Sequence, residues 1–334
     1  MFCMRGIDFG DYRGASPAVG VALMVIIVVL MATTAVVLVT DIADDQLDSA
    51  ETVDVVVDRD RCAGDQTATY DGSFSEIQEQ LQNDPCALWL ESGHVETENG
   101  DVVGWSDQGQ NSFDATAVDA QHLDVEESSE LGGHEVVVFD PEDTEDGGGY
   151  FDLERDVSDF DLDEDSGIIV ISVVQVEEYD RGGTWTIGEA GQDGREFSMR
   201  TCSDRGVDGC QTSEPEGEFR AQHWGSADVD FNITDASTVD SADDWVILTH
   251  GYDGDDAFIR ANGEEIARED VDLDLSEDRD IQIGRWERTA NDPSWYFEGR
   301  MAEILFFDTD LEEEDIESIE NALGDRLGIE TDDD

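Results

Sequence analysis

Lysine is absent from the 334 residues, and the basic complement is 17 arginines against 86 Asp and Glu, a formal net charge of −69. Without a basic patch the chain has nothing with which to hold nucleic acid or an anionic membrane surface, so neither is expected as a partner. Self-repulsion at this charge opposes the compact state in dilute salt, and folding calls for molar salt, where the screening length falls to about 3 Å. Disorder is the other state such a charge allows. The apolar content of 39%, with seven Trp and fourteen Phe in alternating runs, argues against it. Catalytic and metal signatures are also missing. There is no Gly-x-Ser-x-Gly elbow and no Cys-x-x-Cys pair, and His134-Glu135 lacks the second His that a zincin helix needs.

One long apolar run is present near the N-terminus. Gly14 to Thr40 carries no ionisable side chain, and Ala18 to Thr40 supplies 23 residues, thirteen of them Val, Ile or Leu. About 20 residues of helix cross a hydrocarbon core of about 30 Å. A cleaved secretory signal has a shorter apolar region and a small-x-small site, which this stretch lacks. Arg13 precedes the run and Asp41, Asp44, Asp45 and Asp48 follow it. Retention of positive charge inside makes this a single-pass cell-membrane protein with everything after Asp41 extracytoplasmic.

The arrangement resembles the class III signal of archaeal type IV pilins, in which a short polar leader ends in a basic residue and Gly. The resemblance implies that a prepilin peptidase cuts between Gly14 and Ala15, after the Arg13-Gly14 pair. Residues 1–14 are then leader, and 15–50 form the hydrophobic helix and a polar stalk. Pro17 suits a first helical turn, where its missing N–H has no partner to lose. Ala18 and Ala22 make a small-xxx-small face on which other pilin subunits can pack. An uncleaved signal anchor is the alternative. The acidic excess without Lys resembles proteins of extremely halophilic archaea, in agreement with the leader.

Cys3 lies in that leader, which leaves Cys62, Cys86, Cys202 and Cys210 outside the cell. Proximity favours Cys62 with Cys86 and Cys202 with Cys210, although four cysteines allow three pairings. Asn232-Ile233-Thr234 is the single N-x-S/T sequon and an acceptor for glycosylation on the extracellular side.

From 51 to 86 the pattern reads as a linker with a strand at Thr52 to Val57 and a helix at Ser75 to Gln82. Beyond Ala87, short runs rich in Val, Ile, Phe and Trp alternate with Asp/Gly loops, the pattern of an antiparallel sandwich. Strands are expected at Val102 to Ser106, Glu135 to Phe139, Ile168 to Val176, Thr184 to Ile187, Glu218 to Trp224, Trp245 to His250, Ala257 to Ala261, Ile281 to Gly284 and Arg300 to Phe307. Asn262-Gly263 predicts a tight hairpin. Leu311 to Leu327 has helical apolar spacing. The fold class is mainly β, an N-terminal helix followed by one sandwich over 87–330, with a short C-terminal helix and an acidic tail at 331–334.

Four segments resemble the concanavalin A-like lectin/glucanase superfamily, in its laminin G-like jelly-roll form: Ala87-Leu88-Trp89-Leu90 with Val103-Gly104-Trp105-Ser106-Asp107; Phe160 to Val176; Trp245 to Ala267; and Ile281 to Gly284 followed by Phe297 to Ile304. That resemblance implies a jelly roll used for adhesion or for binding surface glycan or protein, and here a minor pilus subunit. A surface module that never polymerises is the alternative, and a glycoside hydrolase the third. Retaining glucanases need paired carboxylates on one strand face. The nearest match, Glu154-Arg155-Asp156-Val157-Ser158-Asp159, ends in Asp and is assigned to a loop, so no enzyme activity is expected. No cofactor is required. Asp161, Asp163 and Asp165 alternate as in a calcium loop, but the glycine falls one place late and position twelve is Ser172, and Asp253 with Asp255 is no stronger. A solvated acidic surface accounts for both. Trp224, Trp286, Trp295 and Tyr296 are the aromatic candidates for a glycan platform.

Overall fold

The computed structural model describes residues 70, 72–84, 87–110, 113–140, 147–156, 167–177, 182–187, 196–202, 218–224, 244–270, 280–286, 295–308 and 311–331. The leader, the apolar helix, the strand expected at Thr52 to Val57, Cys62, Cys86, Cys210, Asn232, and Asp161, Asp163 and Asp165 lie outside the described residues. Among the described residues no helix is long and apolar enough to cross a membrane.

Helix α1 (Phe74–Asn83) is followed by strands β1 (Ala87–Glu98), β2 (Asp101–Asp107), β3 (Ala115–Val118), β4 (Leu123–Ser128), β5 (His134–Phe139), β6 (Tyr150–Asp156), β7 (Ile168–Val176), β8 (Gly182–Ile187) and β9 (Glu196–Cys202). Then come β10 (Glu218–Trp224), β11 (Trp245–Tyr252), β12 (Asp256–Ala261), β13 (Glu264–Asp270), β14 (Asp280–Ile283), β15 (Arg285–Trp286), β16 (Trp295–Tyr296), β17 (Gly299–Phe307) and helix α2 (Glu313–Leu327).

Strand pairing yields two antiparallel layers. One runs β13-β12-β11-β7-β17, with β1 and β5 side by side on the far edge of β17. The other runs β10-β9-β8-β14-β6-β3-β2. Strand β1 joins them, because its first half pairs with β17 and its second half, beyond a register shift after Leu90, pairs with β2. Val170, Val174, Leu248, Ile304 and Phe306 of the first layer meet Trp185, Phe197, Met199, Ile281 and Ile283 of the second in a dry core.

The first layer is covered on its other face too. All nine residues of β7 are buried, so alternate side chains of this strand enter two different cores. Ile169, Ile171 and Val173 join Trp89, Ile247, Leu305 and Phe307 beneath Ile316, Ile319, Leu323 and Leu327 of α2. Each of these aliphatic side chains stabilises the docked helix by about 1.5–3 kcal/mol. Helix α2 stops at Gly328, whose left-handed φ of +74° lets its N–H donate to the Gly324 carbonyl at 2.7 Å. Tyr70, Ile77 and Leu81 are buried in the same layer. Helix α1 is therefore integral to the packed unit, and the Tyr70 N–H donates to Asp315 on α2 at 2.7 Å.

Polar groups pin the turns. Asp107 accepts the backbone N–H groups of Trp89 at 2.9 Å, Gly109 at 2.8 Å and Phe113 at 3.0 Å, tying the loop after β2 to β1. Asn262 and Gly263, with φ of +49° and +89°, make the expected hairpin between β12 and β13. The Asn262 side-chain oxygen also accepts the Ile247 N–H at 2.9 Å. Strand β6 corrects one expectation. Glu154 and Asp156 stand on an interior strand between β3 and β14, and only the remainder of the Glu154 to Asp159 segment lies outside the described residues. Apolar Phe151 and Leu153 alternate with polar neighbours here, and the sheet claims the segment despite its charge.

Candidate binding face

Core residues fix which side chains lie on the outer face of the seven-stranded layer. Phe151 and Leu153 of β6, Ile281 and Ile283 of β14, Trp185 and Ile187 of β8, and Phe197 and Met199 of β9 all point into the core. Their alternates, Tyr150, Asp152, Gln282, Thr184, Thr186, Ser198 and Arg200, take the opposite face. Register aligns Asp152, Gln282, Thr186, Ser198 and Gln222 in one row across five strands. Gln282, Thr186 and Ser198 in this row are buried, and Asp152 is half-buried.

The short hairpin β15–β16 lies across this face. A Cβ on Gly183 would sit 2.2 Å from the Trp286 nitrogen and 2.4 Å from the Arg285 carbonyl carbon, so only glycine admits the crossing. The Gly284 N–H donates to the Thr184 carbonyl at 2.9 Å, and the Thr186 hydroxyl donates to the Arg285 carbonyl at 2.9 Å. Two aromatic clusters result. Trp286 and Trp295 stack with centroids 4.3 Å apart and planes 4° from parallel, and the Arg200 guanidinium lies 4.8 Å from the Trp286 ring centre. The Arg285 guanidinium lies 4.6 Å from the ring centre of Tyr150 and 5.9 Å from that of Tyr296.

Of the four aromatic candidates, the structure brings Trp286, Trp295 and Tyr296 together on this hairpin. Trp224 ends β10 in register with Glu196, and its side chain lies outside the described residues. Trp286 and Trp295 are only 3% and 4% exposed, so they present their faces to each other and not to a ligand. The accessible aromatic surface belongs to half-buried Tyr296 together with Tyr150 and Arg285. Sequence reasoning missed Tyr150 and Arg285. The alternation Tyr150-Phe151-Asp152-Leu153 was the signal for the first, and no local signal marked the second.

Asp253 and Asp255 occupy the turn between β11 and β12. One Asp253 oxygen accepts the N–H groups of Asp255 at 3.2 Å and Asp256 at 2.8 Å, and the other accepts from Arg268 at 2.6 Å. Partial burial raises the cost of its charge, but these bonds prevail and hold the Asp253 carboxyl below the usual range. Its oxygens therefore serve the turn and Arg268. The adjoining cleft, of about 320 Å³, is lined by Asp253, Phe258, Arg268, Leu311 and Glu313 among others. Among the described residues no group of three His, Cys, Asp or Glu is arranged to hold a metal.

No protein-family profile and no curated protein matches the chain. Among solved structures, it is similar to the binding domain of botulinum neurotoxin serotype D/C, at 11% identity and a TM-score of 0.41, covering 71% of this chain and 51% of that one. It is similar to domain 4 of AbnA, a GH43 extracellular arabinanase from Geobacillus stearothermophilus in complex with arabinotriose, at 15% identity and a TM-score of 0.43, covering 64% and 91%. A Trypanosoma rangeli sialidase matches at 12% identity and a TM-score of 0.44, covering 73% and 33%. The chain spans about half the length of the toxin binding domain. At these identities and scores the likenesses assign no activity to it.

Proposed function

We propose that the chain is a membrane-anchored, pilin-like surface protein that displays an extracellular lectin-like sandwich and binds glycan on the outer face of its seven-stranded layer. The observation that carries this reading is the half-buried Tyr150–Arg285–Tyr296 cluster, with half-buried Asp152 two residues along β6 from Tyr150. Aromatic faces take up the C–H faces of sugars, and a few placed polar groups fix their hydroxyls. The apolar run before Asp41 supplies the anchor, and cleavage after Gly14 would admit the protein to a filament as a minor subunit. The strand order and the helix after β17 support the laminin G-like assignment. Binding of this kind needs no catalytic group and no cofactor.

Full-length protein and its Tyr150→Ala and Tyr296→Ala variants, titrated against a polysaccharide panel, test the reading. Binding that weakens by about tenfold or more in each variant, as expected for losing a stacking contact and its packing, supports it. Binding indifferent to both substitutions would move the site elsewhere.

Glycoside hydrolysis stays as a second reading for one reason: Glu154 and Asp156 stand on an interior strand of this layer. Release of reducing ends that Glu154→Gln abolishes would make the protein a hydrolase.

A further inference from the structure

The outer face of the seven-stranded layer is open on one side of β6 and closed on the other. Towards β9, Gln282, Thr186 and Ser198 are buried, and the β15–β16 backbone crosses over Gly183. In the opposite direction the register row continues from Asp152 to Thr116 on β3, Gly104 on β2 and Glu96 on β1. The adjacent row fixes which way these residues point. Leu153, Ala115 and Trp105 are cross-strand partners in the core, with Val95 packed against them, so Asp152, Thr116, Gly104 and Glu96 take the outer face. Thr116 and Glu96 are exposed there, and Asp152 is half-buried. Val118, also half-buried, is the cross-strand partner of Tyr150. The Tyr150–Tyr296 pair therefore borders an open strip, with an apolar neighbour beside it and hydroxyl and carboxylate groups beyond. Gly104 leaves no side chain standing between Thr116 and Glu96.

We infer that the glycan runs from Tyr150 across β6, β3, β2 and β1, and that it is a neutral saccharide chain. This rests on the glycan-binding reading above and gives the ligand a direction and a charge. Three interstrand steps of about 4.8 Å make the strip about 14 Å long, room for an oligosaccharide segment. No basic residue stands in the row from Asp152 to Glu96. Glu96 takes the Ser106 hydroxyl on Oε1 at 2.8 Å, which orients the carboxylate and leaves Oε2 to a ligand. Ionised carboxylates only accept hydrogen bonds, and the hydroxyls of a neutral sugar donate to them. A uronate or sulfate group would instead meet Asp152 and Glu96 at contact distance, where repulsion survives even the screening length of about 3 Å in molar salt.

The test uses full-length protein at one fixed molar salt concentration. Dextran and methyl-esterified polygalacturonate are the neutral probes, and dextran sulfate and polygalacturonate are their charged counterparts. We expect at least one neutral probe to bind about tenfold or more tightly than its counterpart, as for one charge-assisted hydrogen bond turned into a repulsion. Thr116→Arg places a long side chain across the strip and should weaken that binding about tenfold or more, and Glu96→Gln should weaken it about three- to tenfold and narrow the preference for the neutral probe. Both positions are exposed, and near-ultraviolet circular dichroism matching the parent checks that each variant keeps the fold. Binding that falls with Tyr150→Ala but is indifferent to Thr116→Arg and Glu96→Gln would overturn the inference while leaving the glycan reading intact. Equal or tighter binding of the charged counterparts would also overturn it. Binding to none of the four probes would remove both.

Discussion

Replacing Arg260 with Met is the sharpest perturbation of the fold, because it strips the partner from a carboxylate that has no access to water. Arg260 is 2% exposed and Glu320 on α2 is fully buried, and Arg260 Nε donates to Glu320 Oε2 at 3.0 Å. The other Glu320 oxygen accepts from Thr249 at 2.6 Å, and Arg260 Nη2 donates to the Gly263 carbonyl at 2.6 Å. Glu313 and Glu317 also approach Arg260, at 3.5 and 3.4 Å, but both are exposed and each contributes at most about 0.5–1 kcal/mol. The magnitude is set by Glu320. Breaking a buried pair from one side costs about 3–5 kcal/mol, whereas replacing both partners with apolar side chains of similar volume costs little.

The pH dependence follows from the same geometry. Burial already raises the Glu320 carboxyl above the usual range, against the pull of Arg260 and Thr249. Removing Arg260 raises it further. A carboxyl raised in the folded state contributes stability that is complete below its unfolded pKa, about 4.3, and is lost as pH rises through the folded value. Arg260→Met should therefore lose most at neutral pH and less in acid. Urea unfolding followed by Trp fluorescence at constant molar NaCl, for the parent, Arg260→Met and Arg260→Met/Glu320→Met, measures this. A single variant within about 1 kcal/mol of the parent, or a double variant no better than the single, would refute the reasoning.

Three further outcomes are expected. Burial, then the neighbouring Asp84, raises the Tyr70 phenol far above its ordinary value, so its contribution is present below about pH 10 and is lost as pH rises beyond it. Tyr70→Phe should cost about 1–2 kcal/mol at neutral pH and flatten the alkaline decline in urea midpoint. Gly183→Ala forces a Cβ into the backbone of β15, and should displace the hairpin, red-shift Trp emission as Trp286 and Trp295 become wet, and abolish glycan binding. Dialysis from molar salt to about 0.1 M, where repulsion between charges reaches about 10 Å against about 3 Å at 1 M, should unfold a chain of net charge −69, as seen by loss of near-ultraviolet circular dichroism.

Much of the sandwich was legible because burial on both faces leaves a continuous apolar run. Strands β7, β11 and β17 read plainly for that reason, as did the Asn262-Gly263 turn and the stripe of α2. Strands with one wet face were harder. Strand β13, Glu-Glu-Ile-Ala-Arg-Glu-Asp, has no buried residue and is held by pairing to β12. Strands β6 and β9 offer little more than the alternating pairs Phe151 with Leu153 and Phe197 with Met199. The two-residue strands β15 and β16 leave no periodicity at all, which is why Tyr296 was found by residue type and Arg285 was not. Buried charges were illegible for a different reason. Glu303 interrupts the apolar run of β17 and is fully buried, accepting from the Trp89 indole at 3.0 Å and pairing with Arg326, and no local signal pointed to either partner.

The proposal of a processed surface subunit is tested most directly by the N-terminus and intact mass of native protein, recovered separately from membranes and from sheared filaments of salt-grown cells. The account predicts a chain that starts at Ala15, enriched in the sheared fraction. A chain starting at Met1 and confined to membranes would contradict it and leave a signal-anchored surface module.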